Sequence, residues 1–481
     1  MIEAPAINLA ALAPTLVLLG AALVVLLLDL LPPRGDKTHL AVVSLAGVIG
    51  ALLMTLTRWG REQRGFRDMV VLDDYALFVH VVVCYAVALV ILLSMDYLRR
   101  AGAPLGEYYA LVLFSAAGMT LMASANDLVV VFLALELMSL CLYVLAGLFT
   151  QRLESTEASM KYFLLGAFAS SFLLYGIALT YGATGSTSFD RIAAAVGTSR
   201  DVVFLVGLGL MLVGFGFKIS AAPFHMWVPD VYQGAPTSVT TLIATGSKAA
   251  GFAALIRLVL GALRGAQADW GPLVWGIAVV TMTLGNVAAV AQSNLKRMLA
   301  YSSVAHVGYM LVGVVAGGAA GASAVLYYLF AYTFTVAGAF GVLSLCERAG
   351  EEAVDVEDYA GLGRRHPLLA GTLTLFLLSL VGIPPLAGFV GKFYLFGAAV
   401  QGGHLWLAVI AVLNSALAAY YYLRVVVVMY MKEAEGAGAT WSPSFAGGVA
   451  LAVAAAGIVL LGVMPAPFAE LAQAAVAPLV R

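Results

Sequence analysis

The chain has 481 residues, 62% of them hydrophobic and 11% charged, with 25 basic against 26 acidic side chains and a mean hydropathy of +0.99. Soluble domains run near half apolar and a quarter charged, so a water-soluble globule is excluded, and disorder needs low hydrophobicity and high net charge. The balanced charge offers no basic surface for nucleic acid, which leaves an all-α polytopic membrane protein embedded in the lipid bilayer.

A membrane helix needs roughly 20 apolar residues to cross about 30 Å of hydrocarbon. The N-terminus, Met1-Ile2-Glu3, has no basic segment, and its apolar stretch at 8–31 is long enough to span, so a cleaved secretory signal is not expected. Further apolar segments lie near 39–57, 75–98, 107–124, 127–149, 158–182, 202–222, 237–263, 272–293, 297–316, 322–346, 367–400, 404–430 and 445–465. The count is about 14 helices, and an even number places both chain ends on one side. Arg34, Lys37, Arg99, Arg100, Arg152, Lys296, Arg297, Arg348, Arg364, Arg365 and Lys432 fall on one side of the membrane. The positive-inside rule makes that side cytoplasmic and puts both termini on the non-cytoplasmic side. The loop 58–74, with Arg58, Arg61, Arg64 and Arg67, runs against the rule.

Two segments do not read as plain spans. After 202–222 come Pro223, Pro229 and Pro236, which predict an interrupted helix and a structured turn. The segment 367–400 is too long for one straight crossing and contains Ile383-Pro384-Pro385-Leu-Ala-Gly388. Discontinuous helices in corresponding positions of two halves mark an inverted-repeat transporter. The layout gives an N-terminal three-helix segment (1–106), five-helix repeats at 107–263 and 272–430 with the fourth helix of each broken, and a C-terminal helix (431–481).

Cys84, Cys141 and Cys346 show no C-x-x-C spacing, and an all-cysteine iron–sulfur cluster needs four thiolates. There is no P-loop, and Gly207-Leu-Gly209 lacks the third glycine of a dinucleotide fingerprint. Those two glycines are expected to let helices pack closely. No redox centre, cofactor or metal is expected on this chain.

A charge inside a bilayer costs several kcal/mol unless it is paired or wet, so the few present can be weighed singly. Glu136 lies nine residues past Asp127, roughly 13 Å deep at 1.5 Å per residue. Its alternative is a structural carboxylate bonded to a neighbouring helix. Lys248, about 11 residues into its span, is too deep to snorkel and should be paired or in a hydrated cavity. Lys218 and Lys392 sit beside the two breaks, where snorkelling is the simpler account, and their matching placement in the two repeats argues for function. His225 and His306 are either relay members or satisfied structural histidines. Lys161 pairs with Glu157 at i,i+4, and the acidic stretch 351–358 reads as a solvated loop. One deep acid and three intramembrane lysines make a proton-loading device, because burial destabilises a charged amine and a nearby carboxylate restores it. Lysine ligands argue against a sodium cage, which wants oxygens.

The run Lys218-Ile-Ser-Ala-Ala-Pro-Phe-His225-Met-Trp-Val-Pro-Asp230-Val-Tyr-Gln-Gly-Ala-Pro-Thr closely resembles the signature of the antiporter-like subunits of proton-pumping NADH–quinone oxidoreductase, respiratory complex I. Asn294-Leu-Lys-Arg-Met-Leu-Ala-Tyr-Ser-Ser-Val-Ala-His306-Val-Gly-Tyr and Gly382-Ile-Pro-Pro-Leu-Ala-Gly-Phe-Val-Gly-Lys392 resemble it too. The Asp230-Val-Tyr string, the lysine at 392 and the lack of a long lateral helix at the C-terminus are similar to subunit N of that family. The resemblance implies 14 helices, two inverted five-helix repeats and breaks in helices 7 and 12. It implies a relay of Glu136 on helix 5, Lys218 on helix 7, Lys248 on helix 8 and Lys392 on helix 12, with His225 and His306 as further family histidines. It also implies quinone, FMN and iron–sulfur clusters elsewhere in the complex. The implied partners are membrane subunits K and M as flanking neighbours, subunits J and A and the lateral helix of L, in a bacterial-type inner membrane. The rival readings are a cation/proton antiporter subunit of an Mrp-type or hydrogenase-related complex, and a structural membrane subunit that conducts nothing.

Overall fold

A computed structural model describes residues 8–31, 37–103, 105–196, 201–348, 351–433 and 439–480. Arg34 and the Met1-Ile2-Glu3 terminus, read above, lie outside the described residues. Among the described residues, thirteen helices are long and apolar enough to cross a bilayer. They are α1 (Ala13–Asp29), α2 (Thr38–Thr57), α3 (Asp74–Arg100), α4 (Leu105–Ala123), α5 (Leu128–Ala146), α6 (Leu153–Thr184), α7a (Val202–Ile219), α8 (Thr237–Leu260), α9 (Gln267–Val290), α10 (Leu295–Ala316), α11 (Gly318–Ser344), α13 (Leu405–Met431) and α14 (Phe445–Val463). The fourteenth crossing is split into α12a (Pro367–Val381) and α12b (Ala387–Gln401). After α7a the chain turns, forms the short α7b (Val228–Gly234) and enters α8.

Local chemistry sets where several crossings begin. Side-chain oxygens of Asp73, Asp127, Asn294 and Ser444 accept first-turn N–H groups at the starts of α3, α5, α10 and α14. Helices α8, α10 and α11 are buried on nearly every side and form the axis of the bundle. Surrounding helices keep one apolar face open, as Leu133, Leu140 and Val144 do on α5, which is the lipid-facing pattern. Close packing depends on small residues, as expected without a hydrophobic drive between helices. A Cβ on Gly207 would stand 3.0 Å from the Gly176 carbonyl oxygen, so α6 and α7a meet there. Gly209, expected to do the same, faces open space.

The series α4–α8 and α9–α13 each hold five crossings with the fourth broken. An odd number reverses the direction of the second series relative to the first, giving two inverted repeats. The breaks correspond closely. Ser220 (φ 71°) and Gly382 (φ 91°) end α7a and α12a in the left-handed conformation, and a proline follows three residues later in each, Pro223 and Pro385.

Small strands supplement the helices at the surface. Gln63–Gly65 pairs antiparallel with Val70–Leu72 in the loop that broke the charge rule. Arg64 there is paired with Glu62 at 2.6 Å and lies 3.9 Å from Asp190, so its charge is locally offset. Cys346–Arg348 pairs with Glu351–Glu352 and with Thr440–Trp441. The acidic stretch 351–358 is therefore not a simple solvated loop. Glu352 reaches inward to Lys296 at 3.2 Å and accepts from the Thr237 hydroxyl at 2.9 Å, and Asp358 is buried against Arg348. Burial alone would raise the Glu352 carboxyl. The Lys296 charge and the hydrogen bonds it receives outweigh that and hold it below the ordinary glutamate value.

Candidate functional site

Each of the four deep charges lies on an element whose position the sequence explains. Asp127 caps α5, accepting from Val129 N–H at 2.8 Å and from the Thr187 hydroxyl at 2.8 Å, so Glu136 falls in mid-helix. Glu136 is half-buried and accepts a short hydrogen bond from the Ser170 hydroxyl on α6. One turn further along α5, Ser139 accepts from Lys218 Nζ at 2.8 Å. Ser139, Ser170 and Lys218 line a common cavity of about 10 Å³, on the scale of one water. No direct ion pair joins Glu136 to Lys218: among the described residues no carboxylate oxygen lies within 4.0 Å of Lys218, Lys248 or Lys392 Nζ.

Lys218 is 2% exposed and Lys392 4%, so neither snorkels. The Lys218 stem passes α8 at Gly251, where an added Cβ would stand 3.6 Å from its Cγ. Gly251 is one turn beyond Lys248. The chain just before Lys248, Ile243–Ser247, is a π-helical turn, a local widening often found at functional positions.

Lys248 Nζ donates to the Ser303 carbonyl oxygen at 3.0 Å and, by a short bond, to the Ser303 hydroxyl on α10. The Tyr332 hydroxyl donates to the same Ser303 oxygen at 2.8 Å. One turn along α10, His306 Nδ1 meets the Tyr328 hydroxyl at 2.5 Å and Nε2 meets the Tyr422 hydroxyl at 3.1 Å. Tyr422 is in turn bonded to Ser302. One more turn brings Tyr309, whose ring lies 5.5 Å from His306 and 5.0 Å from Lys392 Nζ. Lys392 reaches back across the break, donating to the Leu380 and Val381 carbonyl oxygens at 2.9 Å each and to the Ser415 hydroxyl at 2.8 Å. It satisfies acceptors that the end of α12a leaves open. Gly382 leaves room for it: a Cβ there would stand 3.1 Å from Lys392 Cδ.

Lys218 and Lys392 do not occupy matching register positions. Lys218 precedes the left-handed residue of its break, whereas Lys392 follows its own by ten residues. By the spacing that pairs Ser220 with Gly382 and Pro223 with Pro385, the counterpart of Lys392 is Asp230. Asp230 bonds Lys161 at 2.6 Å and Arg297 at 2.7 Å, tying α7b to α6 and α10. Lys161 keeps its Glu157 partner as well.

His225 lies in the turn after α7a. Its Nδ1 is buried without a hydrogen-bond partner, and its side chain bonds none of the four deep charges among the described residues. The groups that sequence reasoning missed are the hydroxyls of Ser139, Ser170, Ser303, Tyr328, Tyr332, Tyr422 and Ser415. The one signal for them was the Ser303-x-x-His306-x-x-Tyr309 spacing, which puts three polar groups on one face of α10.

Fourteen crossings among the described residues, two breaks in inverted halves and a line of buried amines define an antiporter-like membrane subunit. A family profile described as "NADH:quinone oxidoreductase/Mrp antiporter, TM" matches residues 125–418. The chain is 50% identical over 473 residues to NADH-quinone oxidoreductase subunit N of Trichlorobacter lovleyi, covering 98% of this chain and 97% of that protein. A chain of respiratory complex I from Thermus thermophilus with bound aureothin superposes with a TM-score of 0.81 at 35% identity, over 96% of this chain and 99% of that one. A chain of the membrane-bound sulfane sulfur reductase, an archaeal respiratory membrane complex, gives a TM-score of 0.86 at 26% identity, with 98% of each chain covered. The chain belongs to the family of NADH-quinone oxidoreductase subunit N, multi-pass subunits of the membrane arm of complex I.

Proposed function

We propose that this chain translocates protons through a relay of Glu136, Lys218, Lys248 and Lys392, driven by quinone reduction elsewhere in the complex. The observation that supports this best is the set of partners chosen by the three buried amines. Each is held by hydroxyl or carbonyl oxygens, with no carboxylate within 4.0 Å among the described residues. Hydroxyls both donate and accept, so they can pass a proton as well as hold one.

In this reading Glu136 and Lys218 are the switch. Their separation in this structure is the open arrangement, with Ser139 holding the ammonium and Ser170 the carboxylate. Closing the pair loads Lys218, and opening it releases a proton toward Lys248 along the Gly251 face of α8. From Lys248 the proton crosses Ser303, His306 and their tyrosines on α10 to Lys392. His225 is proposed as a family histidine at the break rather than as a link in this line. The five-helix repeats are proposed at 107–263 and 272–430, flanked by segments 1–106 and 431–481. The proposed membrane is a bacterial-type inner membrane, with both termini on its non-cytoplasmic side. The proposed partners are membrane subunits K, M, J and A and the lateral helix of L. Quinone, FMN and iron–sulfur clusters are proposed to reside on other chains.

The test replaces Lys218 by Met in the intact complex. Coupled proton transport and quinone-reductase turnover should both fall severely while assembly is retained. Wild-type rates of both would refute the relay. Normal rates with all three lysines neutralised would favour a non-conducting structural subunit.

A further inference from the structure

The end of the bundle that holds Arg99, Arg100, Lys296 and Arg297 also holds a slot that the relay does not use. It lies between the start of α12a and α14 and has a volume of about 380 Å³. Its mouth is formed by Arg365, His366 and Trp441, and its walls by Leu368, Leu369, Leu451 and Ala455. The mouth is cationic and aromatic. Arg365 is exposed and donates to the Ala360 carbonyl oxygen at 2.7 Å, and among the described residues no carboxylate lies within 4.0 Å of its guanidinium. Neighbouring Arg364 bonds Glu433 instead. The Trp441 ring stands edge-on to His366 with centroids 6.3 Å apart. Helix α12a starts at Pro367 with no side-chain cap, so the positive end of its dipole opens at the same mouth.

The walls run the other way, into hydrocarbon. Leu368 and Phe445 are both highly exposed on this side, and Trp441, just before the start of α14, is 45% exposed. Aromatic residues at the ends of spans form the interfacial belts. A ligand that satisfies both ends must carry a negative head at the membrane surface and an apolar chain below it. Basic pockets between membrane helices on the cytoplasmic side bind anionic headgroups, and a helix N-terminus suits a phosphate. We infer that this slot binds an anionic phospholipid, its phosphate on Arg365 and the start of α12a and one acyl chain between α12a and α14. The lipid would lie against the half-helix whose last carbonyls hold Lys392, bracing α12a from the bilayer side.

The test photolabels the assembled complex in nanodiscs with phosphatidylglycerol or phosphatidylcholine bearing a diazirine in the acyl chain, then maps the labelled peptides. Phosphatidylglycerol should label the peptides holding Leu368 and Leu451 in preference to phosphatidylcholine. R365Q should reduce that labelling about fivefold, on the scale of one surface charge near anionic lipid, and R365K should restore most of it. A452W, which narrows the slot and leaves Arg365 in place, should reduce labelling by either lipid. Equal labelling by both lipids, or no response to R365Q and A452W, overturns the inference. Competition by inorganic phosphate would show an anion site without a lipid, and slot peptides labelled in the isolated chain but shielded in the complex would show a protein partner; either result also overturns it.

Discussion

Ser303→Ala is the sharpest perturbation of the proposed relay, because it removes one oxygen and no charge. In the structure that oxygen accepts from Lys248 and from Tyr332, while among the described residues the Ser303 carbonyl remains as the only other acceptor bonded to Lys248 Nζ. A hydrogen bond to a charged group is worth about 1.5–3 kcal/mol. At 1.36 kcal/mol per tenfold, loading a proton on Lys248 becomes roughly 10- to 150-fold harder. The same change breaks the step from Lys248 toward His306 one turn away. In sealed membrane vesicles, NADH-driven quinone reduction and proton pumping should fall together by at least tenfold. Electron transfer from NADH to a water-soluble artificial acceptor should stay unchanged, because it bypasses the membrane arm. Native gels should show the complex assembled, and Ser303→Thr, which keeps a hydroxyl, should restore most of the rate. Pumping and turnover within twofold of wild type in Ser303→Ala would refute the role given to Ser303, and with it the α10 route.

Two further outcomes follow from charges outside the relay. Arg257 and Asp73 form a bidentate pair at 2.9 and 2.6 Å, both nearly fully buried. Asp73→Asn should cost about 3–5 kcal/mol by stranding a buried charge. It should lower the temperature at which the assembled complex loses this subunit, and an unchanged dissociation temperature would contradict the pairing. Glu352 is held below its ordinary value, where burial is outweighed by Lys296 and by hydrogen bonds. The stability it contributes is therefore fully present above the unfolded glutamate value of about 4.3 and is lost as pH falls through the lower folded value. Protection from hydrogen exchange at residues 351–358, corrected for the intrinsic pH dependence of amide exchange, should fall below about pH 4.3 in the wild type and be low and independent of pH in Glu352→Gln. Matching profiles would show that Glu352 does not pin the loop.

The elements most legible in the sequence are those governed by one-dimensional physics. Span lengths follow from hydropathy and mid-membrane depth from the helical rise, so Glu136 and Lys248 could be placed by counting. Prolines placed the breaks. What needs three dimensions did not show. Lys218 and Lys392 looked like repeat equivalents because both adjoin a break, yet Lys392 arrives from the far side and Asp230 holds its register position. Glu352 looked solvated because its neighbours are acidic, and only the fold brings Lys296 and Thr237 beneath it. The serine and tyrosine hydroxyls were invisible for a different reason. On buried helices such residues are ordinary packing, and their polar ends gain meaning from what they face.

The contrast between Arg257 and the three lysines fits the proposed relay, in which anchoring and transport fall to different charges. A carboxylate 4 Å from an amine would hold its proton with about 4 kcal/mol at an effective dielectric of 20, roughly a thousandfold trap. Such a trap suits an anchor, and the Arg257–Asp73 pair uses it to fasten α8 to the N-terminal edge of α3. A relay built from permanent pairs of that kind would stall at every site. Lys218, Lys248 and Lys392 are held instead by Ser139, Ser303, Ser415 and backbone oxygens. These ligands make a buried ammonium tolerable without binding its proton tightly. A carboxylate is then useful only where it can approach and withdraw. In the proposed relay Glu136 fits that role: it lies one turn from the serine that holds Lys218 and is itself bonded to Ser170 on the neighbouring helix.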